Sequence, residues 1–75
     1  MYTEKIQKLE NEILELKKYI KKDKKEIKKR EKILSMIVDN DVEVETEIEM
    51  YKEEIEKFTN ELKTRKELIK NYKKL

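Results

Sequence analysis

Apolar residues recur along this chain in one heptad frame. Ile6, Ile13, Ile20, Ile27, Leu34, Ile48, Ile55, Leu62 and Ile69 fall at a positions, and Leu9, Leu16, Ile37, Val44, Tyr51, Phe58 and Tyr72 fall at d positions. Such a repeat keeps one narrow stripe on one side of a helix and drives that stripe against a second helix. The expected fold class is therefore all-α: a coiled coil or a thin helical bundle. The frame is interrupted by charge at Asp23, Arg30 and Arg65, which occupy d positions, and at Asp41, which occupies an a position.

The chain has 75 residues, of which 51% are charged, and it lacks Gly, Pro, Cys, His and Trp. Charge this dense suits a disordered chain, but disordered chains lack a sustained apolar period. The period decides in favour of a folded helical unit spanning 1–75.

Charge is blocked along the chain. Residues 1–16 carry four Glu and two Lys, and residues 17–32 carry ten basic and three acidic side chains. Residues 39–61 carry ten acidic side chains and two Lys, and residues 62–75 carry six basic side chains and Glu67. Free N–H groups at a helix start favour carboxylates and free C=O groups at its end favour ammonium groups, so acid then base, twice, reads as two helices. At the junction Asp39-Asn40-Asp41 is cap and turn chemistry, and Val42-Glu43-Val44-Glu45-Thr46 is poor helix material. The expected boundaries are a first helix over about 3–38, a turn over about 39–45 and a second helix that begins between 41 and 47, at about 46, and runs to about 74. Asn40 with Glu43, or Thr46 with Glu49, has capping-box spacing.

Two other readings of the junction stand beside this one. Val42, Val44, Thr46 and Ile48 alternate with acids, the period-2 pattern of a short strand. A continuous helix in a parallel coiled-coil dimer would also preserve the frame, which does not shift across residue 39, and would extend about 110 Å. The rod would set each charge block against its own copy. An antiparallel hairpin lays the basic block beside the acidic one. With Ile37 opposite Ile48, its layers would pair Leu34 with Tyr51, Ile27 with Phe58 and Leu16 with Ile69. Asp23 and Arg65 would then lie close enough to form a polar pair that fixes the register, while Arg30 would reach back to Glu26 one turn away.

An antiparallel hairpin has two edges. The e edge is mostly basic, through Lys17, Lys24, Lys52, Lys66 and Lys73. The g edge carries Glu12, Glu26, Glu47, Glu54 and Glu61 with Tyr19, Ile33, Leu68 and Leu75 between them. Two helices cover little of each other, and Tyr19, Ile33 and Leu68 widen the apolar stripe as burial against further helices requires. Homo-oligomerisation is expected, most simply two hairpins forming a dimeric four-helix bundle. Met36, Val38, Val42 and Met50 would give the hairpin tip an apolar patch suited to a protein partner.

Chemistry points the same way. Without His or Cys, and with Ser35 and four Thr lacking a candidate base, catalysis is not expected. No cofactor or small-molecule substrate is implied. Asp39, Asp41 and Glu43 match the start of a calcium loop, but Val44 replaces its glycine and Met50 its final glutamate, so no metal is expected. Net charge is +2, too weak for long-range steering. The alternative partner is a nucleic-acid backbone held by Lys18, Lys21, Lys22, Lys25, Lys28 and Lys29 on the outer face of the first helix. Lysine without interleaved aromatics suits contact without base readout. No signal peptide or membrane-length apolar run is apparent, so a cytoplasmic protein without membrane attachment is the default expectation. The function expected is a non-enzymatic, self-associating interaction module, such as a small regulator or inhibitor of a protein partner.

Overall fold

A computed structural model describes residues 2–37 and 41–75. Two long helices, α1 (Thr3–Met36) and α2 (Val42–Lys74), lie antiparallel against each other, and no strand occurs among the described residues. The hairpin measures 59 × 14 × 13 Å, about half the length of a continuous rod.

The first helix starts without a side-chain cap: Tyr2 supplies only its carbonyl, which accepts from the Ile6 N–H at 2.9 Å. It ends where Ile37 turns extended (φ −97°, ψ 136°), with the Ile37 N–H on the Leu34 carbonyl at 3.3 Å. The second helix starts at Val42, at the early end of the expected 41–47 and before the central value of 46, and the reason is Asp41. Its carboxylate accepts from the Val44 N–H at 3.2 Å and its carbonyl from the Glu45 N–H at 3.0 Å. That is an N-cap, and Glu43 and Glu45 follow it in the first turn, where the helix dipole favours them. The low helix propensity of the Val-Glu alternation is outweighed because Val44 and Ile48 also turn towards α1. Thr46, one of the two capping residues expected, lies inside the helix and donates to the Val42 carbonyl at 2.8 Å. The other, Asn40, lies outside the described residues.

The dipole argument that divided the chain holds at both ends of α2, which finishes on Lys73 and Lys74. At the end of α1 it does not, since the last turn carries no basic residue. The basic block stops at Lys32, a turn short of the end.

The register differs from the expected one by a heptad. Arg30 with Glu47, Glu12 with Arg65 and Tyr19 with Phe58 are cross-helix pairs whose residue numbers each add to 77. These join d positions to g positions, so the facing a and d layers add to 78: Leu16 opposite Leu62, Ile20 opposite Phe58, Ile27 opposite Tyr51, Leu34 opposite Val44. Pairing Ile37 with Ile48 would have slid α2 by seven residues, about 10 Å along the axis.

The seam is narrow. Among the described residues Ile13, Leu16, Ile48 and Ile69 are the buried apolar side chains, each still 6–9% exposed; Asp23 is buried with them, Tyr2 and Ile37 at the ends are exposed, and the other a and d residues are half-buried.

Asp41→Ala removes the N-cap and is expected to lower stability by about 1 kcal/mol in denaturant unfolding followed by circular dichroism. Thr46→Ala, which loses only a hydroxyl bonded within its own helix, is expected to stay within about 0.5 kcal/mol of the parent. Equal effects of the two would remove Asp41 as the residue that starts α2.

Candidate interaction surface

Three charged d residues shape the side of the hairpin that carries the g positions. Arg30 runs its methylenes along the seam and places its guanidinium at the edge, with the centre of the group 4.7 Å from the Tyr51 ring. Its Nε donates to Glu47 Oε2 at 2.5 Å and its Nη1 to Glu26 Oε2 at 2.6 Å. The reach to Glu26 is the one expected from sequence; the bond to Glu47 on the other helix is additional. That hydrogen bond from Arg30 holds the Glu26 carboxyl below its ordinary range.

Arg65 repeats the arrangement in the other half of the hairpin. Its Nε donates to Glu12 Oε2 at 3.4 Å and its Nη1 to the Glu61 carbonyl at 3.1 Å. The expected pair of Asp23 and Arg65 is therefore not formed. In the observed register Arg65 lies beside Ile13 and Glu12, and Asp23 lies opposite Ile55.

Asp23 is instead the one charged side chain among the described residues that is buried, at 6% exposure, and its Oδ2 has no hydrogen-bond partner. Burial raises its pKa above the ordinary 3.8, repulsion from Glu54 and Glu26 adds to the rise, and Lys22 opposes it. A carboxylate here destabilises the hairpin, because desolvation is not offset by a donor.

Tyr19, Ile33 and Leu68, the expected oligomer residues, remain 48%, 45% and 41% exposed. Tyr19 is braced by Phe58, with ring centroids 5.6 Å apart. Met36, Val42 and Met50 of the expected tip contact are more exposed still, and Val38 lies outside the described residues. Met36 and Met50 occupy c positions next to the g edge, so they prolong the apolar strip of Ile33 rather than form a separate tip. Val42 stands apart at a b position.

Two shallow depressions open on this side. One, of about 190 Å³, is lined by Lys5, Lys8, Leu9, Glu12, Leu68 and Tyr72 near the chain ends. The other, also about 190 Å³, is lined by Glu47, Met50, Tyr51 and Glu54 towards the turn. Beside the first, the Tyr2 and Tyr72 rings lie 5.1 Å apart with Lys5 Nζ 5.9 Å from the Tyr72 ring. This aromatic end was missed in the sequence, although Tyr2 sits at a d position and the heptad extends to it.

The six lysines of the outer α1 face, Lys18, Lys21, Lys22, Lys25, Lys28 and Lys29, are all exposed. Lys29 lies 3.6 Å from Glu26; among the described residues the other five have no carboxylate within salt-bridge distance. No cluster of His, Cys, Asp or Glu able to hold a metal occurs among the described residues, and no described helix is long and apolar enough to cross a membrane.

No protein-family model matches this chain, and no curated protein or solved structure matches it either.

Replacing Asp23 by Leu is expected to stabilise the hairpin by about 1–3 kcal/mol at pH 7, the cost of a buried polar group without a partner. The pH dependence has a definite sign. Between the ordinary carboxyl value of 3.8 and the raised native value, the native state binds more protons than the unfolded one, so stability falls as pH rises. Any advantage of Asp23→Asn over the parent at neutral pH therefore shrinks as pH falls through that window. Unfolding curves at pH 7 and pH 4 measure it, and a pH-independent difference would contradict the burial of Asp23.

Proposed function

We propose that this chain is a non-enzymatic, self-associating helical hairpin that works as a protein-interaction module, with two copies forming a four-helix bundle through the g side. One observation carries the reading. A strip of large apolar side chains, Tyr19, Ile33, Met36, Met50 and Leu68, is left exposed along one side of a seam that buries four apolar residues among those described. A core that small rarely holds a short chain by itself, and oligomerisation is the usual remedy where disulfides and metals are lacking. The strip runs beside the seam, where a second hairpin would extend the same core.

A module of this kind acts by occupying a surface. Regulation or inhibition of a protein partner fits a chain with neither His nor Cys, and the residues of the strip left open at the turn, Met36 and Met50, are adaptable apolar contacts.

A second reading, contact with a nucleic-acid backbone, is favoured by the exposed lysines of α1. Five ammonium groups without a carboxylate partner, spread from Lys18 to Lys28 over about 15 Å, suit several phosphates.

Sedimentation equilibrium at micromolar concentrations tests the first reading. The mass is expected to be twice that of the chain, and Tyr19→Glu with Leu68→Glu is expected to weaken the dimer at least a hundredfold, since each buried apolar side chain contributes about 1.5–3 kcal/mol. A single-chain mass for the parent at tens of micromolar would refute self-association. For the second reading, binding to duplex DNA and to RNA is measured across a salt titration. Affinity that falls steeply with salt would support it, and no binding at low salt would eliminate it.

A further inference from the structure

We propose that the second copy docks antiparallel on the g side, about a two-fold axis that crosses the hairpin at Tyr19. The proposal rests on the self-association argued above and adds the geometry, which follows from how residues are spaced about Tyr19. Because facing layers add to 78, every α2 residue lies level with an α1 residue of known number. Leu68 lies level with Glu10 and Met50 with Lys28, so these two exposed apolar side chains on α2 sit nine residues to either side of Tyr19, about 13 Å each way. A two-fold through Tyr19, perpendicular to the long axis, lays α2 antiparallel on its copy and brings each Leu68 onto the Met50 of the other chain. It also lays α1 antiparallel on its copy, with the Tyr19 rings meeting at the centre.

The charges comply. On α1, Glu15 and Lys22 occupy c positions four and three residues from Tyr19, so each faces the other's copy across the axis. On α2, Lys57 and Glu61 lie level with Lys21 and Lys17, two residues either side, and face each other's copies likewise. Glu12 and Glu26, which the symmetry would bring together, are already bonded by Arg65 and Arg30. The two depressions exchange as well. They meet through α2, where Leu68 of the one lies against Met50 of the other, while Lys5 and Lys8 lie on α1 and face Ile33 and Lys29 of the copy, the charge of Lys29 being offset by Glu26 at 3.6 Å.

The competing arrangement, with the two-fold along the hairpin, lays each α1 on the α2 of the other chain at the same level. Leu68 would then face Glu10 and Glu12, Met50 would face Lys28 and Lys29, and Tyr19 would meet Lys57 and Glu61. Exposed apolar side chains set against charged ones select against that pairing. The face is large enough for the task, since a hairpin 59 Å long and 14 Å wide offers an area on the order of the 800 Å² per partner that stable interfaces bury.

Thiol cross-linking reads the geometry directly, because the chain has no cysteine of its own. Tyr19→Cys, Leu68→Cys and Met50→Cys each alter an exposed side chain, 48%, 41% and 62% accessible in the hairpin, so the helices remain intact. Under mild oxidation Tyr19→Cys is expected to give a covalent homodimer. An equal mixture of Leu68→Cys and Met50→Cys is expected to give the mixed dimer, while neither variant links to itself. The measurements are made where sedimentation has fixed the mass. A dimer in which Leu68→Cys links to itself, or in which Tyr19→Cys does not link, overturns the antiparallel arrangement and leaves self-association standing. A monomer overturns both.

Discussion

The register of the hairpin depends on where α2 begins, and that is decided by one side chain. Once the Asp41 carboxylate takes the Val44 N–H, five residues separate the helices, 37–41, an interval whose midpoint is 39. Layers that add to 78 have that same centre. A cap placed at Thr46 would have moved the centre and slid α2 by a heptad, since slides of less than seven residues turn the apolar stripe away from its partner. A bond worth about 1 kcal/mol therefore selects among registers that the hydrophobic pattern alone leaves nearly equivalent.

From that register the arginines find their places. Arg30 and Arg65 sit at d positions in opposite halves, and each finds a carboxylate at the g position of the other helix, Glu47 and Glu12. Each also reaches one turn back along its own helix, to Glu26 and to the Glu61 carbonyl. A heptad of slip would separate both pairs. Partly exposed ion pairs add little stability individually, but their loss in every wrong register sharpens the choice. Asp23 works in the other direction, since it gains no donor at its own layer.

The helical class, the two-helix division and the antiparallel sense were legible because they rest on period and on charge blocks, which average over many residues. Helix boundaries and register rest on a few atoms. The stretch from Val42 to Thr46 has low helix propensity, which drew the expected start of α2 towards 46 within the range 41–47, but the cap and the dipole outweigh it there. Once the turn was centred too late, Asp23 was set near Arg65, and the error in the pair followed from the error in the boundary. The unshifted heptad frame held the missing information. A fold-back centred at Asp39-Asn40-Asp41 and an unbroken frame are jointly compatible with layers adding to 78, whereas 85 requires a centre beyond residue 42. The Tyr2 and Tyr72 contact was legible in the same way, since both residues are d positions at the two chain ends.

Charge counting along the g edge gives five glutamates and the appearance of an acidic face. The geometry revises that appearance. Glu12, Glu26 and Glu47 each accept from an arginine of the seam, so three of the five are already neutralised within the hairpin. Glu54 and Glu61 remain at g positions and Glu15 and Glu43 at c positions, with Lys5, Lys8, Lys22, Lys29 and Lys57 on the same side. What dominates this side is its apolar content, Tyr19, Ile33, Leu68 and the two methionines, in a nearly balanced electrostatic field. The e edge keeps its lysines and buries no comparable strip. Arginines in the seam thus do two things at once: they set the register within one hairpin, and by consuming the carboxylates beside the apolar strip they lower the cost of bringing two such sides together.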